Sequence, residues 1–210
     1  MRTIVILFLL TIAKLNGQST SLSIGYEMNV TKLRLLDLND EVFSNPFSRG
    51  IAYSISVNST TQFNSTIIQF RPSLVILSSN SSITDSYRMR FVTFGVLGGI
   101  KISNKLLISG GVVYHNLISR ISDFRGVRTN ITALSSNNSF LNPTVEVGYE
   151  ITKLVSCSIS YVQFTKSLFN TGAVNQRNQI IGPIEVMPQY FAMGLNLKIW
   201  SQNSKTPKQI

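Results

Sequence analysis

The sequence predicts an all-β fold, an eight-stranded antiparallel up-and-down transmembrane β-barrel, on three observations. Eight runs alternate apolar and polar residues with period two. The connections between those runs alternate short and long. The chain is 43% hydrophobic and only 13% charged, yet no later run approaches the roughly 20 consecutive apolar residues that a transmembrane helix needs. A chain of this kind enters a bilayer only by closing its strands into a cylinder, because hydrocarbon satisfies no backbone polar group.

Arg2, the apolar segment 3–13 and Leu15-Asn16-Gly17 read as a secretory signal over residues 1–17, with the mature chain starting near Gln18. Strand one, 22–30, sets Leu22, Ile24, Tyr26, Met28 and Val30 against Ser23, Gly25, Glu27 and Asn29. Strand two, 51–57, sets Ile51, Tyr53, Ile55 and Val57 against Ala52, Ser54 and Ser56. Strand three, 68–77, sets Ile68, Phe70, Pro72, Leu74 and Ile76 against Gln69, Arg71, Ser73, Val75 and Leu77. In strand four Val92, Phe94, Val96, Ile100 and Ile102 oppose Thr93, Gly95, Gly99 and Lys101. In strand five Leu106, Ile108, Val112 and Tyr114 oppose Ser109, Gly111 and His115. Strand six, 144–151, sets Val145, Val147, Tyr149 and Ile151 against Thr144, Glu146, Gly148 and Glu150. Strand seven sets Val155, Cys157, Ile159 and Tyr161 against Ser156, Ser158 and Ser160, and strand eight sets Phe191, Met193, Leu195, Leu197 and Ile199 against Ala192, Gly194, Asn196 and Lys198. The barrel then occupies residues 18–200 and a polar tail residues 201–210.

Ser103-Asn104 and Thr152-Lys153 are hairpin turns, and 58–64 is a somewhat longer one. The connections 31–49, 78–86, 116–142 and 166–188 are long and polar. Short turns at one end and long loops at the other match an integral outer-membrane barrel with extracellular loops and periplasmic turns and termini.

A soluble lipocalin-like barrel would turn its apolar rows inward around a ligand. The polar rows decide against that, because Gly, Ser and Ala dominate them; small residues suit the crowded interior of a narrow barrel, whereas water-facing surfaces carry many Lys and Glu. The charges in those rows are Glu27, Arg71, Lys101, Glu146, Glu150 and Lys198. Three carboxylates and three cations inside one barrel are expected to pair, since an unpaired buried charge costs several kcal/mol. The expectation is a salt-bridged plug rather than a conducting pore. Tyr26, Tyr53, Tyr114, Tyr149, Tyr161 and Phe191 fall in the outward rows, where interfacial girdles are built.

The succession TIIQFRPSLVILSS, FGVLGGIKISNKLLISGGVVYH, PTVEVGYEITKLVSCSISYVQF and YFAMGLNLKIW resembles the small outer-membrane β-barrel proteins of Bacteroidetes, the PorT-like or "porin family" group, related in architecture to OmpX-type barrels. The resemblance covers most of the mature chain and rests on strand texture. It implies an outer-membrane location and assembly by the barrel-insertion machinery; some members serve secretion or gliding. Such barrels often end on an aromatic residue, whereas here Trp200 is followed by ten more residues.

His115, the one histidine, is expected at the outer rim of strand five, with Ser119, Ser122 and Asp123 beyond it. A lipid-modifying barrel enzyme would use such a His and Ser, but nothing supplies a third group or an oxyanion site, so a polar rim residue is the simpler expectation. One His and the one Cys, Cys157, on different strands make no metal-ligand set. Gly98-Gly99 and Gly110-Gly111 lie within strands and form no phosphate loop. No cofactor and no enzymatic activity are expected. The net charge of +10 favours anionic partners. Lys32, Arg34, Arg49, Arg120, Arg125, Arg128, Lys166 and Arg177 fall in the long loops, where outer-membrane lipid and lipopolysaccharide present phosphates; envelope proteins are the other partner class. Nucleic acid is not expected, since no recognition helix or stacking platform is seen.

Overall fold

The computed structural model describes residues 19–36, 50–80, 86–124, 127–130, 132, 138–167, 169–174 and 180–203. The predicted signal segment 1–17 lies outside them. The strands are β1 (Ser19–Leu36), β2 (Gly50–Phe63), β3 (Thr66–Asn80), β4 (Ser86–Lys101), β5 (Leu106–Phe124), β6 (Val127–Asn130), β7 (Ser139–Glu150), β8 (Val155–Gln163), β9 (Phe169–Val174) and β10 (Ile180–Asn203). Each is antiparallel to its neighbours, and the order β1-β2-β3-β4-β5-β7-β8-β10 closes through the pairing of β10 with β1. That pairing runs from Ser19↔Asn203 to Leu36↔Glu185, so the sheet has no free edge around the ring. The result is the expected closed, eight-stranded antiparallel barrel.

The two extra strands extend existing staves. β5 pairs with β7 over Leu106–Asn116 and with β6 over Ile121–Phe124, so β6 stands above β7. β10 pairs with β8 from Leu197 back to Gln189 and with β9 from Val186 back to Ile180, so β9 stands above β8. Much of what the sequence suggests to be loop is therefore strand. Ladder bonds carry β5 to 19 residues and β10 to 24, well past the ~9–11 that a tilted membrane strand uses. At the other end, the expected turn 58–64 tightens to Asn64-Ser65. Asn58 to Phe63 stay in β2, and Asn64 takes a φ of 54°, which asparagine tolerates. The other two turns, 102–105 and 151–154, close through the amides of Ile102 and Ile151 on the carbonyls of Leu106 and Val155, 2.9 and 3.0 Å. The tail begins later than expected too, because Ser201–Asn203 still pair with Ser21–Ser19.

Period-two alternation sets the two faces. On β7 every second residue from Phe140 to Gly148 is buried and every residue between is exposed. Thr144, Glu146 and Gly148 thus point into the lumen, and Val145, Val147 and Tyr149 point out. The outward rows are apolar on all eight staves, from Ile24, Tyr26, Met28 and Val30 on β1 to Met193, Leu195, Leu197 and Ile199 on β10. Inside, the half nearer the loops is filled by Val75, Leu77, Met89, Phe91, Leu117, Phe140, Val162, Phe164, Tyr190 and Ala192. This apolar layer is what blocks the cylinder there, so closure does not rest on ion pairs alone.

Candidate functional site

Below the apolar layer the inward rows become polar and charged. Arg71, on β3, donates from Nη1 and Nη2 to Glu146 on β7 at 2.5 and 2.8 Å, and Nη1 also reaches Glu27 on β1 at 3.4 Å. Glu27 accepts a further bond from Ser54 Oγ at 2.6 Å. A fork on one carboxylate is the arrangement guanidinium makes best. Nearer the turns, the Lys101 and Lys198 ammonium groups lie 3.7 and 3.4 Å from Glu150. The six charges expected in the lumen thus form two triads, one arginine between two carboxylates and one carboxylate between two lysines. The first is nearly dry, with Arg71 11% and Glu146 3% exposed. The second is about one-third exposed and opens to solvent.

Gly25 makes room beside the first triad. A Cβ there would stand 2.4 Å from both Asn196 Oδ1 and Ser56 Oγ. The space is needed because Asn58 Nδ2 donates to Asn196 Oδ1 across it at 2.7 Å. Gly194 does the same for Glu27, whose Cγ a Cβ would meet at 2.7 Å.

Around these groups the turn-side half of the lumen is a cup of about 670 Å³ that opens between the turns. Serine and threonine hydroxyls form much of its wall, Asn58, Gln69 and Arg71 lie deep in it, and lysines ring its mouth. The sequence pointed to the charges but not to this cup, which exists because small side chains on several staves face one another.

His115 is corrected from a rim residue to a core one. β5 continues nine residues beyond it, to Phe124, and its ring is fully buried. Phe91, Phe164 and Tyr190 surround it at ring separations of 4.8 to 6.1 Å. Asn142 Nδ2 donates to Nδ1 at 3.0 Å, shorter than the 3.3 Å from Nδ1 to the Val113 carbonyl, which leaves the ring proton on Nε2, 3.0 Å from Tyr190 Oη. Ser119 lies four residues further along the strand, roughly 13 Å at the usual rise, out of reach as a nucleophile for this base.

Arg120 is also corrected. It is 3% exposed and faces inward. A register shift opposite Arg90 and Phe91 leaves Ile118 as an extra residue in β5, and a bulge reverses which residues face inside. Of the other loop cations, Arg128 on β6 and Lys166 after β8 are exposed. Lys32 and Arg34 lie on β1, with side chains outside the described set, and Arg49, Arg125 and Arg177 lie outside the described residues. The sequence reading missed Arg88 and Arg90. Both are exposed on β4 and make no ion pair among the described residues. They occupy the outward row that continues as Val92, Phe94 and Val96. Extending the alternation of strand four by two steps toward its N-terminus finds them. Among the described residues no cluster of His, Cys, Asp or Glu could hold a metal.

No family model and no curated protein matches the chain. Solved structures do. Neisserial surface protein A aligns over 86% of this chain and 99% of its own with a TM-score of 0.54 at 11% identity. The attachment invasion locus protein Ail of Yersinia pestis aligns over 88% of this chain and 100% of its own, with a TM-score of 0.45 at 12% identity. At these identities the first likeness establishes the barrel fold.

Proposed function

We propose that the chain is a non-enzymatic integral outer-membrane barrel, with its loop end outside the cell, and that cations at that end hold the phosphates of lipopolysaccharide. The observation that carries this reading is the outward row of β4, in which Arg88 and Arg90 follow directly on Val92, Phe94 and Val96. A stripe that is apolar and then cationic along one strand matches acyl chains followed by anionic headgroups. Each such cation contributes about 1 kcal/mol near an anionic leaflet. Arg128 and Lys166 add exposed charge at the same end. Apolar outward rows on every stave support a hydrocarbon surround, and the burial of His115 speaks against a His–Ser hydrolase. The PorT-like resemblance implies service to secretion or gliding as the class of role.

The test compares the wild-type chain with Arg88→Ala/Arg90→Ala in bilayers of phosphatidylcholine with and without lipopolysaccharide. Lipopolysaccharide is expected to raise the unfolding temperature of the wild type, at low salt more than at high salt, and to raise that of the double variant much less. Equal stabilisation of both proteins overturns the headgroup contact. Extraction of the native protein from cells without detergent overturns the membrane location.

A further inference from the structure

The cup on the turn side has a chemistry of its own. Among the described residues five cations and two carboxylates line it. Lys101 and Lys198 share the one carboxylate of Glu150, and Lys105 and Lys153 stand on the two adjacent turns. Backbone bonds anchor each turn to the strand beside it: the Glu150 amide of β7 donates to the Lys105 carbonyl and the Lys198 amide of β10 to the Leu154 carbonyl, both at 2.8 Å. The backbone of the mouth is therefore held in place, and its four lysines outnumber the one carboxylate, Glu150, that pairs with any of them among the described residues. Deeper in, Asn58 is 3% and Gln69 8% exposed. Among the described residues Asn58 Oδ1 and Gln69 Oε1 accept no hydrogen bond, and Arg71 Nε donates none. Buried polar atoms are almost always paired, so two acceptors and a donor without a partner among the described residues, on side chains that line the cup, call for hydroxyl groups. The apolar layer beyond makes the cup a dead end.

We propose that this cup binds a small phosphorylated polyol, with its phosphate among the lysines of the mouth and its hydroxyls on Asn58, Gln69 and Arg71. About 670 Å³ lies within the usual range for small-molecule sites. A nucleotide fits less well, because the aromatic lining residues, Tyr149 and Trp200, belong to the exposed outward surface and offer no stacking face inside. A soluble sugar phosphate and the glycerophosphate head of a lipid share this chemistry. The inference uses neither the orientation in the membrane nor the lipopolysaccharide contact, and its test contains no lipopolysaccharide.

The experiment titrates the folded full chain, in zwitterionic detergent micelles, with glucose 6-phosphate, followed by calorimetry. Saturable binding that weakens with salt is expected. Lys101→Ala/Lys198→Ala is expected to lower affinity about tenfold, the loss of a charge-assisted hydrogen bond. Gln69→Leu removes an acceptor that has no partner among the described residues, so folding is expected to be unaffected; this variant should bind glucose 6-phosphate more weakly and inorganic phosphate as before. Competition by micelles doped with phosphatidylglycerol assigns the site to a lipid head, and its absence assigns it to a soluble sugar phosphate. No saturable binding of either probe up to about 10 mM, a free energy too weak to matter, overturns the proposal. So does inorganic phosphate binding as tightly as glucose 6-phosphate, or full affinity in the double lysine variant while it still shows the gel shift of a folded barrel on boiling.

Discussion

Arg71 and Glu146 face each other across the lumen, one on β3 and one on β7, joined by two hydrogen bonds of 2.5 and 2.8 Å. They tie staves that are not neighbours in the sheet, so the fork acts as a cross-brace inside the cylinder. Glu146→Ala should destabilise the barrel by about 3–5 kcal/mol, because it leaves a buried guanidinium short of its main partner. Glu27→Gln/Arg71→Met/Glu146→Leu, which removes all three charges together, should cost much less. Urea unfolding in detergent measures both, and a triple variant weaker than the single one would show that the pairing itself carries the stability.

Gly25 offers a steric test of the lumen. Gly25→Ala places a methyl 2.4 Å from two polar oxygens and forces the Asn58–Asn196 bond apart, at a cost of about 1–3 kcal/mol. Gly98 has nothing within 4 Å of its added Cβ, so Gly98→Ala should leave the unfolding midpoint nearly unchanged. Similar losses at the two sites would mean that Gly25 does not face a packed interior.

The outward face is tested by charge. Val147 is 47% exposed in the middle of β7, and Val147→Arg should cost about 2–4 kcal/mol in lipid vesicles if it sits near the bilayer centre. Gln163→Arg, at the loop end of β8, should cost under about 1 kcal/mol, as expected near an interface. A depth-independent cost, or a native barrel that stays monomeric in buffer without amphiphile, contradicts the bilayer reading.

His115 should prove structural. Tyr190→Phe removes the partner of a buried ring nitrogen and should cost about 1–3 kcal/mol. His115→Ala should leave the lipid A and phospholipid profiles of cells as in the wild type, and an altered profile would revive the enzyme reading.

The strand pattern was readable because it is local. Alternation of small polar with large apolar residues, as in residues 144–151, assigns the inward and outward faces without knowledge of any neighbour, and the small size of the polar residues marks the inward one. The same alternation singled out Glu27, Arg71, Lys101, Glu146, Glu150 and Lys198 as inward charges. Which of them would meet was not readable, because partners such as Arg71 and Glu146 are 75 positions apart and meet only through register and closure.

By itself, then, the chain determined a cylinder of eight alternating staves with charges inside, since period two is a property of each strand alone. Only the tertiary structure decided that His115 is buried, that Arg120 turns inward past an extra residue in β5, that an apolar layer blocks one half, and that a polar cup opens at the other. Those outcomes depend on how far each ladder continues and how each stave is offset from the next. Hydrogen bonding between distant segments sets both, and no single stretch of residues records it.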